Sequence, residues 1–224
     1  MNNNLTEMVF IIDMSGSMTP FTDDTIGGYN TLLKEQREKD GDANVTTVLF
    51  DNRYIVIHDR VDIKEVKDLT TKEYMPMGNT AMLDAVGKTI NSIGQKLSNI
   101  PEEERPGNVV VTIITDGMEN ASTEYTWSQI QSMIKEQREK YSWLFTFIGA
   151  NIDVMDISNR MGIDSRLAKS YTASKAGTGS VYKAMSKTLC ASREASAKRK
   201  GKMATKDELD CAIGAMAEEM QDIQ

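Results

Sequence analysis

In the stretch FIIDMSGSM, residues 10–18, Asp13, Ser15 and Ser17 follow one another at two-residue spacing. Residues two apart in an extended segment point the same way, so one carboxylate and two hydroxyls can converge on a single point. A second carboxylate, Asp116, closes another apolar run in Thr115-Asp116-Gly117, and a further hydroxyl, Thr80, follows a glycine turn in Met77-Gly78-Asn79-Thr80. Two carboxylates that face each other without a basic neighbour repel, and a bound cation relieves that repulsion. All five side chains offer hard oxygen donors. Such a set suits Mg²⁺ or Mn²⁺ in an octahedral shell completed by water and disfavours zinc. Each piece taken alone has a plainer reading, with Asp-x-Ser-x-Ser as a capping turn and Thr80 as a helix N-cap.

The elements that must bring these residues together are legible as alternating patterns. Residues 8–12 and 109–114 are unbroken apolar runs rich in β-branched side chains, the pattern of parallel strands covered on both faces. Residues 144–149 make a third such segment. Residues 45–50 and 54–58 are two more strands joined only by Asp51-Asn52-Arg53, too short a link for a crossover helix, so they form an antiparallel hairpin at a sheet edge. Helical periodicity occupies residues 23–39, 80–97, 126–140 and 153–161, and a further helix is expected from Gly177 into Lys198-Arg199-Lys200. The fold expected is α/β: a doubly wound, mostly parallel central sheet of about six strands with one antiparallel edge strand and helices on both faces. In such sheets ligands collect at the carboxyl ends of strands near the point where strand order reverses, which is where Asp13 and Asp116 end their runs.

Composition narrows the function. The chain has 224 residues, 40% of them hydrophobic and 26% charged, and no apolar stretch approaches a membrane span. Its N-terminus lacks the basic and long apolar regions of a secretory signal, so the expected location is the cytoplasm. Two cysteines, Cys190 and Cys211, and one histidine, His58, give no basis for a zinc cluster or a disulfide framework. His58, at the end of an edge strand, reads as a hydrogen-bonding surface residue. The net charge of −7 hides ten Lys/Arg against one acid, Glu194, over residues 166–202. Without interleaved aromatic residues after Tyr182, that run reads as a solvated helix face and not as a nucleic-acid patch. "AGTGS", residues 176–180, reads as a turn and helix N-cap and not as a phosphate loop. A capping-box pattern at Thr205 to Glu208 opens a last helix whose stripe Leu209, Ile213, Met216, Met220 and Ile223 is expected to dock on the rest of the chain. The expected division is a domain over residues 1–200 and an amphipathic helical tail over 201–224.

Taken together, Asp13-x-Ser15-x-Ser17, the distant Thr80 and the strand-ending Thr115-Asp116-Gly117 resemble the von Willebrand factor type A (vWA) family with its metal-ion-dependent adhesion site. The closest likeness is to stand-alone bacterial vWA proteins that also show Thr25-Ile26-Gly27-Gly28, the extended Thr115-Asp116-Gly117-Met118-Glu119-Asn120 and Gly149-Ala150-Asn151-Ile152-Asp153. The resemblance implies that Ser15, Ser17 and Thr80 ligate the metal directly, with Asp13 and Asp116 acting directly or through water. It implies a protein partner that supplies a Glu or Asp to the open metal position, with AAA+ ATPases or stress-response components as candidate partners, and neither a membrane nor nucleic acid. Two rival classes remain, beside a nucleic-acid binder that would rest on the basic segment 166–202 alone. A metal-dependent phosphoester hydrolase of the haloacid dehalogenase type needs a second acid two residues after its first, and here that position is Ser15. A metal-stapled structural module needs only the ligands and no partner.

Overall fold

The computed structural model describes residues 1–171, 175–199 and 202–220, with the side chains of 175–180 and 219–220 set aside. Six strands form one sheet: β1 (Asn2–Asp13), β2 (Asp42–Phe50), β3 (Tyr54–Asp62), β4 (Pro106–Thr115), β5 (Leu144–Ala150) and β6 (Ala168–Tyr171). Their spatial order is β3-β2-β1-β4-β5-β6, parallel throughout except for β3, which runs antiparallel to β2 at one edge. The two apolar runs therefore lie side by side at the centre, with Met8 opposite Val110 and Ile12 opposite Ile114. Strand order reverses between β1 and β4, so Asp13 and Asp116 emerge at the topological switch point.

Helices cover both faces: α1 (Thr22–Arg37), α5 (Lys175–Ala197) and α6 (Lys206–Met220) on one, α2 (Met82–Ser98), α3 (Trp127–Tyr141) and α4 (Val154–Met161) on the other. The period-two geometry of β1 sends Met8, Phe10 and Ile12 toward the first layer and Val9 and Ile11 toward the second, and all five are buried. This two-sided burial is why the run is continuously apolar. α3 starts at a capping box in which Thr126 accepts from the Gln129 N–H and Gln129 reaches back to the Thr126 N–H.

Several expectations need correcting. β6, Ala168-Lys169-Ser170-Tyr171, has no sequence signature because it is four residues long at a sheet edge. α2 begins at Met82, not Thr80, and has no side-chain cap. "AGTGS" lies inside α5, which starts at Lys175. His58 is buried, its Nδ1 3.0 Å from Thr47 Oγ1, because the β2–β3 pairing turns it inward. The basic run is only partly a solvated face. Arg193 and Arg199 are buried, and Arg193 donates to the carbonyls of Gln36, Asp40 and Gly41 at the end of α1. In the last helix Ile213 and Met216 are buried against α5 and its neighbours, with Leu209 partly so, while Met220's side chain and Ile223 lie outside the described residues.

Candidate metal centre

Three loops at the carboxyl end of the sheet carry the five oxygen-bearing residues. The first leaves β1 through Asp13, which is fully buried, and its Oδ1 accepts the Ser15 N–H at 2.7 Å while Oδ2 accepts the Thr115 hydroxyl. That Asx-type bond turns the chain so that Ser15 Oγ and Ser17 Oγ lie 3.1 Å apart. The third loop leaves β4 through Asp116, whose Oδ1 accepts the Ser17 hydroxyl at 2.6 Å. The middle loop is drawn in by backbone bonds from its neighbours. Gly16 N–H donates to Gly78 O, Met77 N–H to Met14 O, and Ala81 N–H to Asp51 O. Gly78 has φ +69°, and a Cβ there would approach Asn52 Oδ1 to 2.6 Å, so only glycine fits this turn.

Thr80 is delivered to the same place. A Cβ added at Gly117 would lie 2.7 Å from Thr80 Oγ1 and 3.6 Å from both Asp13 Oδ2 and Ser17 Oγ. Side-chain oxygens from the first and middle loops thus border the space where Gly117 of the third loop has no side chain, and Asp116 joins them through its bond from Ser17. Neither serine nor threonine is consumed in capping: the short 3-10 turn after Ser15 and the start of α2 both lack a side-chain cap bond. The plainer reading thus holds for Asp13, whose carboxylate makes the turn, but not for the hydroxyls of Ser15 and Thr80, which cap no helix.

The electrostatics of the two carboxylates would favour a cation between them. Burial pushes the Asp13 carboxyl up to about 6, against the hydrogen bonds from Thr115 and Ser15, and the nearby Asp116 adds repulsion. Burial also raises Asp116, opposed by its bond from Ser17. No lysine or arginine is among the groups that shift either one. Among the described residues no cluster of three or more His, Cys, Asp or Glu side chains offers an alternative metal site. The donor set fits a hard divalent cation: two carboxylates and three neutral hydroxyls, all oxygen.

The architecture has close counterparts among solved structures. Proximal thread matrix protein 1 from the mussel byssus superposes with a TM-score of 0.56 and 16% identity, over 83% of this chain and 46% of that one. A von Willebrand factor type A protein from Catenulispora acidiphila gives 0.53 and 15%, over 83% and 43%. The fold is that of a von Willebrand factor type A domain. The manganese-loaded TRAP protein of Plasmodium vivax matches this chain with a TM-score of 0.55 and 15% identity, over 76% of it and 69% of TRAP. The mussel protein has also been solved with a zinc-occupied MIDAS motif, a structure that matches with a TM-score of 0.54 and 15% identity. The chain spans less than half the length of the mussel and Catenulispora proteins. No protein-family model matches the sequence, and no curated protein matches it.

Residues beyond the five hold this rim in shape. Tyr74 donates its hydroxyl to Asp13 O at 2.7 Å. Asn120 brackets Thr80, accepting its N–H at Oδ1 and donating its own N–H to Thr80 O. Glu119 accepts N–H groups from Leu83, Ala121 and Ser122, and Asp84 accepts those of Thr123, Glu124 and Tyr125, so the loop after Asp116 is stapled to the start of α2. Thr115, Glu119 and Asn120 stand inside the motif Thr115-Asp116-Gly117-Met118-Glu119-Asn120 and were visible there without a role. Tyr74 and Asp84 carry no local signal, since their partners are tens of residues away.

Proposed function

We propose that the chain is a Mg²⁺- or Mn²⁺-dependent protein–protein interaction module that binds a carboxylate of its partner through this metal centre. Ser15, Ser17 and Thr80 would hold the metal directly, with Asp13 and Asp116 acting directly or through water. When bound, the metal supplies an incompletely neutralised positive charge with a coordination position open to an external carboxylate. The observation that carries the reading is the convergence of Asp13, Ser17 and Thr80 oxygens on the space at Gly117, with Ser15 and the second buried carboxylate, Asp116, each in contact with Ser17. The zinc- and manganese-bound relatives of the same fold support a divalent ion, and the hard donor set favours Mg²⁺ or Mn²⁺ over zinc.

His58, the sole histidine, is bonded to Thr47 within the β2–β3 pairing and stands away from the rim, and the position two residues after Asp13 is Ser15 and not the second acid that a haloacid-dehalogenase-type hydrolase needs. We therefore read the chain as a binding module and not as a phosphoester hydrolase, working in the cytoplasm of a bacterial cell with an AAA+ ATPase or stress-response component as its partner class. Among the described residues no helix is long and apolar enough to cross a membrane. The test is affinity capture in Mg²⁺ with the wild-type chain and with Asp116→Ala as baits. A partner retained by the wild type, released by chelator and absent from the variant supports the reading. Equal capture in chelator, or Mg²⁺-dependent turnover of a phosphate ester that Asp13→Asn removes, overturns it.

A further inference from the structure

Seven large hydrophobic side chains are exposed among the described residues, and four are methionines on the rim that carries the metal centre: Met75 and Met77 before Thr80, Met118 after Asp116, and Met155 in the first turn of α4. Met118 is the most open of them at 68%. Scattered apolar residues are ordinary on a surface, but four unbranched thioethers around one site make a soft apolar collar that adapts to different shapes. Met118 also begins a groove of about 550 Å³ whose walls include Trp127, Ile152, Asp153, Asp156 and Arg160.

The groove's charge limits what can lie in it. Arg160, stacked 3.8 Å over the Trp127 ring and 3.7 Å from Asp156, is the one cation in the lining among the described residues and offsets one of its three carboxylates, so the groove stays acidic. Asp153 and Asp156 are exposed, and Glu119 adds a third carboxylate to the lining. A carboxylate is thus welcome at the metal and repelled in the groove beside it, while a basic group gains there.

We propose that the partner presents its metal-binding carboxylate on a segment that places a bulky apolar side chain against the Met118 collar and a basic side chain in the Asp153–Asp156 groove, and that acid-rich segments are rejected. This rests on the carboxylate-binding reading above and specifies the partner that reading leaves open. Because methionine adapts, the apolar position should accept aliphatic and aromatic residues alike.

The test uses the full chain with Mg²⁺, panned against displayed short peptides with one fixed Glu and randomised flanks, in parallel with a Gln-fixed library and with chelator. Peptides retained only with Glu and Mg²⁺ should be enriched in Leu, Ile, Met or Phe and in Lys or Arg, and depleted of further acids. Met118→Ser should weaken a selected peptide about tenfold, the loss expected from one unburied apolar contact. Asp156→Lys should remove the preference for Lys or Arg and keep the apolar one. Glu- and Mg²⁺-dependent retention without apolar or basic enrichment overturns this proposal and leaves the metal-carboxylate reading standing. Retention that is equal in chelator or with Gln overturns that reading, and this proposal with it.

Discussion

Asp13 shows how much one position is asked to do. Its carboxylate ties the Ser15 N–H and the Thr115 hydroxyl together across the sheet end, and its backbone carbonyl accepts from Tyr74, all in a buried place with a second acid nearby. The serines differ from it in kind: Ser15 touches Ser17, and Ser17 donates to Asp116, contacts at the loop rim and not within the sheet or a helix. The double substitution Ser15→Ala/Ser17→Ala should therefore keep the fold and lose the rise in melting temperature that Mg²⁺ gives the wild type. Calorimetry with and without Mg²⁺ checks this, and an undiminished rise would remove the serines from the metal shell. The sequence could show these residues because the spacing Asp-x-Ser-x-Ser is itself the geometric device, two-residue periodicity turned into convergence. It could not show Tyr74 or Asp84, whose roles exist only once β1, the 70–80 loop and α2 are packed together.

At the scale of elements, β1 carries a second buried acid. Glu7 lies in its middle with Arg60 Nε 3.0 Å from Oε2 and Asn44 also within reach, while Oε1 has no partner. Burial raises the Glu7 carboxyl above its ordinary 4.5 despite Arg60. A raised folded value means that the protonated form favours the fold, so this contribution is complete below 4.5 and lost as pH rises through the folded value. Urea titrations across pH should show wild-type stability falling in that window relative to Glu7→Gln, and parallel profiles would contradict the assignment. The strands were legible where burial on both faces makes a run continuously apolar, as in β1 and β4, and illegible in β6, where four residues at an edge have no pattern to show. The last helix was legible through its stripe, and Ala212, Ile213 and Met216 are buried in the fold. Ending the chain at residue 201 should cost about 3–5 kcal/mol, an upper estimate from the apolar surface exposed. Unchanged stability together with loss of an oligomer on a sizing column would instead make this stripe a surface for another chain.

The whole molecule divides into an apolar core on both faces of the sheet and a polar rim at its carboxyl end, where the proposed metal would sit. The two apolar layers are built from hydrophobic side chains alone, and none of the three hydroxyl residues is a member of either, so a bound cation would add to the fold at its rim. That separation has a thermodynamic consequence. If a partner carboxylate completes the metal's shell, metal and partner each stabilise the state the other needs, and the factor by which Mg²⁺ tightens a carboxylate peptide must equal the factor by which the peptide tightens Mg²⁺. For sites sharing one coordination shell a coupling of about 1–3 kcal/mol, roughly 5- to 150-fold, is the reasonable range. Isothermal titration of Mg²⁺ into the chain with and without a Glu-containing peptide measures one arm, and titration of the peptide with and without Mg²⁺ measures the other. Equal factors well above one are expected, and a Gln-containing control peptide should give a factor near one in both. A factor near one with the Glu peptide would mean that metal and carboxylate occupy independent places, leaving the cation as a clasp for the loops and moving the partner's docking surface elsewhere on the domain.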